Sequence, residues 1–278
     1  MKVFDCFTFF NEIDLLKIRL EYLYDHVDYF VISESNQTHS GHPKPLYFEE
    51  NKSLFSRWLH KIIHIVDDHY GLNSHEFSRP SAYDPSAAQW TLERSQRDAL
   101  WRGLDQATEG DLVIVTDLDE IWHPRLLRLL STSATVPSVA RLGMSFHYYY
   151  VNCVGVGQNN RIWTHPYYFK LGSLPAGRSL SSVRTETKLP TIRGVGWHFS
   201  YLGGEEKIRE KLEAFAHQEY NTEEYKDLVH LQRSLDLCID HLKRDGVEWA
   251  LLPMSRFPVE LISLFLKYGP SYLRKTLN

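Results

Sequence analysis

Asp117-Leu118-Asp119-Glu120 places three carboxylates directly after the apolar run Leu112 to Val115. Turn-forming residues flank that run, which fits a strand covered on both faces. Open α/β sheets bind ligands beyond the carboxyl ends of such strands. Two carboxylates about 4 Å apart repel by about 4 kcal/mol at an effective dielectric of about 20, so the cluster requires a cation or a shared proton. A hard divalent metal is the simplest remedy. The bland alternative is that these acids serve the N-terminus of a helix beginning near Pro124, although one cap does not require three of them.

Other residues have types that could join this chemistry. Arg97 lies within about 60° of Trp90, Leu100, Trp101 and Leu104 at about 100° per residue, so it sits in an apolar stripe and needs an acceptor. Donor phosphate or a uracil carbonyl is one solution; a buried carboxylate, or snorkelling to the rim, is the other. His198 falls in a loop-like stretch after a strand predicted for Thr191 to Val195. It reads either as a neutral imidazole completing a metal shell with Asp119 or as a hydrogen-bonded histidine of the site or core. Asn11 and Glu12 end the first predicted strand, where they would meet a nucleotide or simply start a helix. The pairs His39 and His42, and His64 and His69, lack HExxH or cysteine partners and read as surface-loop histidines.

The elements that must position these groups are legible over the first 120 residues, where short apolar runs alternate with helical patterns as in a parallel α/β sheet. Strands are predicted for Val3 to Phe10, Tyr29 to Ser33 and Lys61 to Val66. Helices are predicted for Glu12 to Asp25, with Ile13, Leu16, Leu20 and Leu23 on one face, and for Ala87 to Gln106. No GxGxxG or GxxxxGK[ST] occurs, which disfavours a dinucleotide fold and a P-loop. From Arg141 to about Pro190 the pattern suggests antiparallel strands and substrate loops. It turns helical from Glu205, with Ile208, Leu212 and Phe215 as one stripe and a second helix from about Glu223 to Arg244. The expectation is one unit of residues 1–220 with a helical extension, 221–278, packed on the same domain.

A chain of 278 residues, 43% hydrophobic and 24% charged, can bury a substantial core. Its formal charge of −4 gives no reason to expect nucleic acid as a partner. Cys6, Cys153 and Cys238 are odd in number and widely spaced, which fits neither a disulfide framework nor a cysteine-rich zinc site. The first ten residues read as a strand broken by Asp5, without the longer apolar core expected of a signal peptide, and no run of about 20 apolar residues occurs. A cytoplasmic location is expected, with two readings for the tail: a terminal helix on its own domain, or peripheral contact with the inner face of a membrane through 257–278.

Four segments resemble glycosyltransferase family 17 in order and spacing: Phe7 to Glu12 with the leucine-rich helix behind it, Arg97 to Gly103, Val115 to Ile121 with a DxD element, and Gly196 to Tyr201 with Glu206 and Lys211 following. Together they cover roughly residues 1 to 220. The resemblance implies a GT-A fold, that is, a nucleotide-binding mixed sheet flanked by helices. It also implies a UDP-sugar donor, a glycan acceptor, Mn²⁺ or Mg²⁺, and inversion at the anomeric carbon. In that role a divalent ion held by one or two carboxylates and phosphate oxygens offsets charge on the departing diphosphate. Asp119 is then the first choice as direct ligand. Asp117 is its partner, through water or on the donor ribose, and Glu120 orients water or the donor sugar. The donor-binding set comprises Asn11, Glu12, Arg97, Asp117 and Asp119, and the metal set comprises Asp119, Asp117 and His198.

Inverting transfer also needs a base for the acceptor hydroxyl. Leu202-Gly203-Gly204-Glu205-Glu206 resembles the acidic loop after a glycine pair in other inverting GT-A enzymes. Glu206 matches the family position better than Glu205, although favourable charge at a helix start explains both. Asp98, Glu120 and Glu219 stay open, and Lys207, Lys211, Arg193 and Arg161 are available to offset diphosphate charge or to face solvent. The sugar is expected to be N-acetylglucosamine or a related hexose. Two alternatives compete with transfer. One is an inactive GT-A-like glycan-binding or scaffold protein. The other is a haloacid-dehalogenase-like phosphatase, which normally carries its acid pair on the first strand rather than about the fourth.

Overall fold

The computed structural model describes residues 1–68, 77, 80–132, 135–175 and 177–275. Eleven described strands form one mixed sheet: β1 Val3–Phe9, β2 Tyr29–Ser35, β3 Ile62–Asp67, β4 Leu112–Asp117, β5 Glu120–Trp122, β6 Val139–Tyr148, β7 Cys153–Gly155, β8 Ile162–Trp163, β9 Tyr167–Lys170, β10 Thr191–Ser200 and β11 Trp249–Leu251. The helices are α1 Ile13–Leu23, α2 Tyr47–Glu50, α3 Ala88–Asp98, α4 Arg125–Thr132, α5 Leu180–Thr185, α6 Glu205–Ala214, α7 Glu223–Lys226, α8 Leu228–Leu237 and α9 Val259–Tyr268.

The N-terminal half of the sheet is parallel in the order β4-β1-β2-β3, and β9 continues it antiparallel to β4. The chain runs outward from β1 to β3 and then returns to the other side of β1. The carboxyl ends of β1 and β4, where Thr8 is paired with Asp117, therefore form a topological switch point. Both strands are continuous apolar runs because both faces are covered. Phe7 and Ile114 face the core that includes α1, whereas Phe4, Cys6, Val113 and Val115 pack with Leu100, Leu180 and Val183 on the other side.

Four expectations change. The helix predicted for Ala87 to Gln106 stops at Asp98 and tightens into a 3₁₀ turn, Ala99–Gly103. At its end a Cβ on Gly103 would stand 2.3 Å from Val31 Cγ1, so the chain passes too close to β2 for any side chain. The strand predicted to end at Val195 runs to Ser200, with a register shift between Arg193 and Trp197, and therefore carries His198. The helix predicted for Glu223 to Arg244 divides into α7 and α8, because Asp227 leaves helical geometry to accept a hydrogen bond from His230 N at 2.8 Å. Residues beyond 221 also supply β11, which pairs with β7, so the extension is not purely helical.

The C-terminal segment packs on its own domain. Leu261 and Phe265 of α9 are buried in the core with α1, Phe265 meets Phe199 edge-on at 5.2 Å, and Val151 N donates to Tyr272 O at 2.8 Å. Among the described residues no helix is long and apolar enough to cross a membrane. His64 lies on β3, not in a surface loop, and pairs with Glu34 at 3.1 Å. His39 is bonded to Gln96 at 2.8 Å, His42 is exposed, and His69 lies outside the described residues.

One buried ion pair ties these layers together. Asp5, in the middle of β1, and Arg19, on α1, are fully buried and bidentate at 2.6 and 2.8 Å. Arg19 Nη1 also donates to the carbonyls of Asp117, Leu118 and Glu120 at 2.9–3.0 Å, and Nη2 to Thr116 Oγ1 at 2.6 Å. The guanidinium thus holds the acidic turn from beneath. Removing one partner of such a pair costs about 3–5 kcal/mol, whereas replacing both is far milder. Arg19→Met should lower the melting temperature steeply, and Asp5→Leu with Arg19→Met should recover part of the loss. A single variant as stable as the parent would refute this role.

Candidate active site

The switch point gathers side chains from four places in the sequence. Asn11 and Glu12 follow β1, Asp119 lies in the turn after β4, His198 comes from β10, and Lys207, Glu210 and Lys211 come from α6. The position of His198 depends on Gly196, where a Cβ would lie 2.6 Å from Ile121 O. This close approach of β10 to β5 pairs His198 with Glu120 and lets Phe199 N reach Asp119 O at 2.7 Å. Helix α6 starts from Gly203 and Gly204, whose φ of 107° and 87° favour glycine. Ile208 and Leu212 bury its inner face.

The three carboxylates do not act as one cluster, because side chains of the protein divide them. Asp117 Oδ1 accepts from Arg97 at 2.7 Å and Oδ2 from Arg184 at 2.6 Å. Glu120 is fully buried; Arg184 reaches its two oxygens at 2.7 and 3.0 Å, Trp163 Nε1 donates at 2.5 Å and Asp117 N at 2.6 Å. Asp119 faces α6 and β10, with Lys211 Nζ at 2.9 Å from Oδ2 and His198 Nε2 at 3.4 Å from Oδ1. Burial opposes ionisation of both aspartates. Arg184 and Arg97 overcome it at Asp117, and Lys211 with His198 at Asp119, so both carboxyls titrate well below their usual range. Glu12 moves the other way: burial raises its pKa more than nearby Lys211 lowers it.

Several sequence candidates meet at one cleft, lined by Asn11, Glu12, Asp119, Lys207, Glu210 and Lys211, with Tyr201 and Tyr272 on its walls. Others stand apart. Arg97 takes the carboxylate solution, binding Glu93 and Asp117. Glu120 has both oxygens committed inside the core. Glu206 is exposed in the first turn of α6, and it is Glu210, one turn on, that lines the cleft and accepts from Asn11 Nδ2 at 2.6 Å and Lys207 Nζ at 2.7 Å. Asp98 receives Ser181 N at 2.9 Å, Glu219 pairs with His217 at 2.7 Å, and Arg161 and Arg193 are exposed. Arg184 and Arg19 escaped sequence reasoning. Each lies on the apolar stripe of a helix, Arg184 with Leu180 and Val183, Arg19 with Leu16 and Leu20, which is the signal that had singled out Arg97.

Among the described residues no group of three or more His, Cys, Asp or Glu side chains is placed to hold a metal ion. The donor set still fits a divalent ion of the kind that takes one or two protein ligands and completes its shell with phosphate and water. Asp119 Oδ1 and His198 Nε2 form such a corner, backed by Phe146 stacked on the imidazole at 4.7 Å. Asp117 is the poorer donor of the two aspartates, because each of its oxygens already accepts from a guanidinium.

Glu12 gives a test of sign. A carboxyl with a raised folded pKa binds its proton more tightly in the folded state, so it costs stability as pH rises past its unfolded value of about 4.3. Glu12→Gln should therefore raise the melting temperature at pH 7, with the difference vanishing near pH 4. A destabilised Glu12→Gln at neutral pH would contradict this electrostatic account.

The sequence model of glycosyltransferase family 17 matches residues 1–240. The human β-1,4-mannosyl-glycoprotein 4-β-N-acetylglucosaminyltransferase is 42% identical over 62 residues, 22% of this chain and 12% of the human protein. The rat enzyme of the same name is 38% identical over 71 residues, 25% of this chain, and the match spans 13% of its length. A solved structure, the inositol-1-phosphate CTP transferase from T. maritima, aligns over 72% of this chain and 84% of its own at 12% identity. Its TM-score of 0.32 is too low to bear on the fold. The match across residues 1–240 is decisive: the chain belongs to glycosyltransferase family 17.

Proposed function

We propose that the chain is a GT-A-type, metal-dependent, inverting transferase that moves a sugar from a UDP-sugar to a glycan hydroxyl. The observation that carries this reading is that Asp119, with His198 buried behind it, lines one cleft at the switch point together with Lys207, Lys211 and Asn11. A diphosphate needs positive charge and hydrogen-bond donors on several sides, and these side chains offer both. Asp119 and His198 would hold Mn²⁺ or Mg²⁺, which supplies Lewis-acid offset of charge on the departing UDP. Asp117, the more exposed aspartate at 30% of its side chain against 9% for Asp119, remains open to the donor ribose, while Arg97 acts through Asp117 and not on the donor. N-acetylglucosamine is the first donor sugar to test, on the name of the curated relatives.

The base is assigned to Glu210 in place of Glu206, because Glu210 is the α6 carboxylate that lines the cleft. Its contacts with Asn11 and Lys207 orient it to take the acceptor proton as the hydroxyl attacks. Glu120, enclosed by Arg184 and Trp163, orients the acidic turn and touches no substrate.

UDP with Mn²⁺ should raise the melting temperature, corresponding to about 2.7 kcal/mol when free UDP is at roughly 100 times its Kd, and Asp119→Ala should abolish the metal-dependent part. A metal-independent UDP shift unchanged in Asp119→Ala would sink the metal assignment. Glu210→Gln should keep the shift but lose transfer by about 10²–10⁴-fold, with Glu206→Gln close to the parent. The reverse ranking would return the base to Glu206.

A further inference from the structure

The cleft is flanked by an aromatic surface that donor binding does not use. Tyr83, Trp90 and His217 come together from two distant parts of the chain. The ring centroids of Trp90 and His217 are 4.7 Å apart at 88°, those of Tyr83 and Trp90 5.4 Å at 78°, and those of Tyr83 and His217 5.8 Å at 35°. Phe215 and Tyr220 continue the row beside His217 at 5.5 and 6.0 Å. The surface is open: Tyr83 is 57% exposed, and 42% of the His217 side chain is accessible.

Its place relative to the acidic turn follows from helix geometry. Trp90 and Arg97 are seven residues apart on α3, hence on one face and about 10.5 Å apart along the axis. Arg97 is in contact with Asp117. His217 lies six residues beyond Lys211, which is in contact with Asp119. The aromatic surface therefore meets the N-terminal part of α3 and the chain just beyond α6, the two helices that reach the aspartates. The charged groups near it on these elements carry both signs and are already partnered: Glu93, one turn from Trp90, holds Arg97; Arg94, also one turn from Trp90, donates to Pro85 O at 3.1 Å; and Glu219 is bonded to His217 Nδ1 at 2.7 Å. Such surroundings leave no unbalanced charge to attract a phosphate and suit a neutral ligand. A pyranose presents C–H faces to aromatic rings, which carry negative charge on their faces, and hydroxyls to groups such as the His217–Glu219 pair.

We propose that Tyr83, Trp90 and His217 form a binding subsite for the neutral acceptor saccharide, extending it away from the donor cleft. The inference rests on the transfer reading, since it gives the acceptor of that reaction its place. It makes these three residues determinants of acceptor affinity with no part in donor binding.

The test is saturation-transfer NMR on the full chain with Mn²⁺-free protein and four probes: maltotriose, cellotriose, chitotriose and mannotriose. Irradiation of aromatic protons should transfer to at least one probe. Trp90→Leu and Tyr83→Ala should each weaken its binding by roughly tenfold, while the UDP-induced thermal shift and the unliganded melting temperature stay near those of the parent. Equal binding in parent and both variants, or no probe bound while the UDP shift is intact, would overturn the subsite. A Trp90→Leu chain that has lost its fold would leave Tyr83→Ala, at an exposed position, to decide. Saccharide binding lost in the variants of a chain that shows no UDP response would instead support the subsite and remove the transfer reading.

Discussion

The active-site turn depends on a cation that no substrate meets. Arg19 is fully buried and surrounded by acceptors: both oxygens of Asp5, the Thr116 hydroxyl and three consecutive-turn carbonyls at Asp117, Leu118 and Glu120. Trp122 Nε1 adds a donor to Asp5 at 2.9 Å, and the Phe7 ring lies 4.2 Å from the guanidinium carbon. A guanidinium is suited to this place because its five N–H groups form a fixed planar fork that can serve a carboxylate on one edge and backbone on the other. A lysine would supply charge without that shape. The consequence is a turn whose carbonyls point inward, toward Arg19.

Above that anchor, the electrostatic problem set by the acidic cluster is solved twice. On one side Arg97 and Arg184 hold Asp117 and Glu120, and the cost of burying these charges is offset only because almost every oxygen has a donor. On the other side Asp119 has a simpler environment, one oxygen toward Lys211 and one toward His198. A metal was the simplest cation to expect from sequence, yet most of the balancing charge belongs to the protein. What sequence cannot convey is that residues 97, 184 and 211 converge on a four-residue turn; that requires the sheet order.

The legible parts were those written in local pattern. β1 and β4 were visible because burial on both faces produces unbroken apolar runs, and α1 because its leucines recur at helical spacing. The Asp5 that interrupts β1 was seen as breaking an apolar leader, but its partner fourteen residues away could not be read without knowing that α1 lies across that face. β10 was cut short at Val195 because the register shift between Arg193 and Trp197 interrupts its alternation, and Gly194 and Gly196 look like loop residues. They mark instead a bend and a close approach to β5. Glu206 and Glu210 are one helical turn apart, so sequence could identify the helix but not which of its two turns faces the cleft.

Under the proposed transfer reaction, the division between the aspartates makes Asp119 the better placed of the two to meet a metal ion. A carboxylate whose two oxygens each accept from a guanidinium has no uncommitted oxygen to offer a cation, and a metal beside it would face Arg97 and Arg184 at the same time. Asp119 is balanced by one ammonium on one oxygen, and its other oxygen faces an imidazole that is a donor to metals when neutral. Lys211 therefore leaves Asp119 Oδ1 and His198 Nε2 as a corner, while the positive charge it brings lies on the side where a diphosphate would enter. The same local charge thus restrains the carboxylate and favours the anion, which is how one lysine can serve both states of the site.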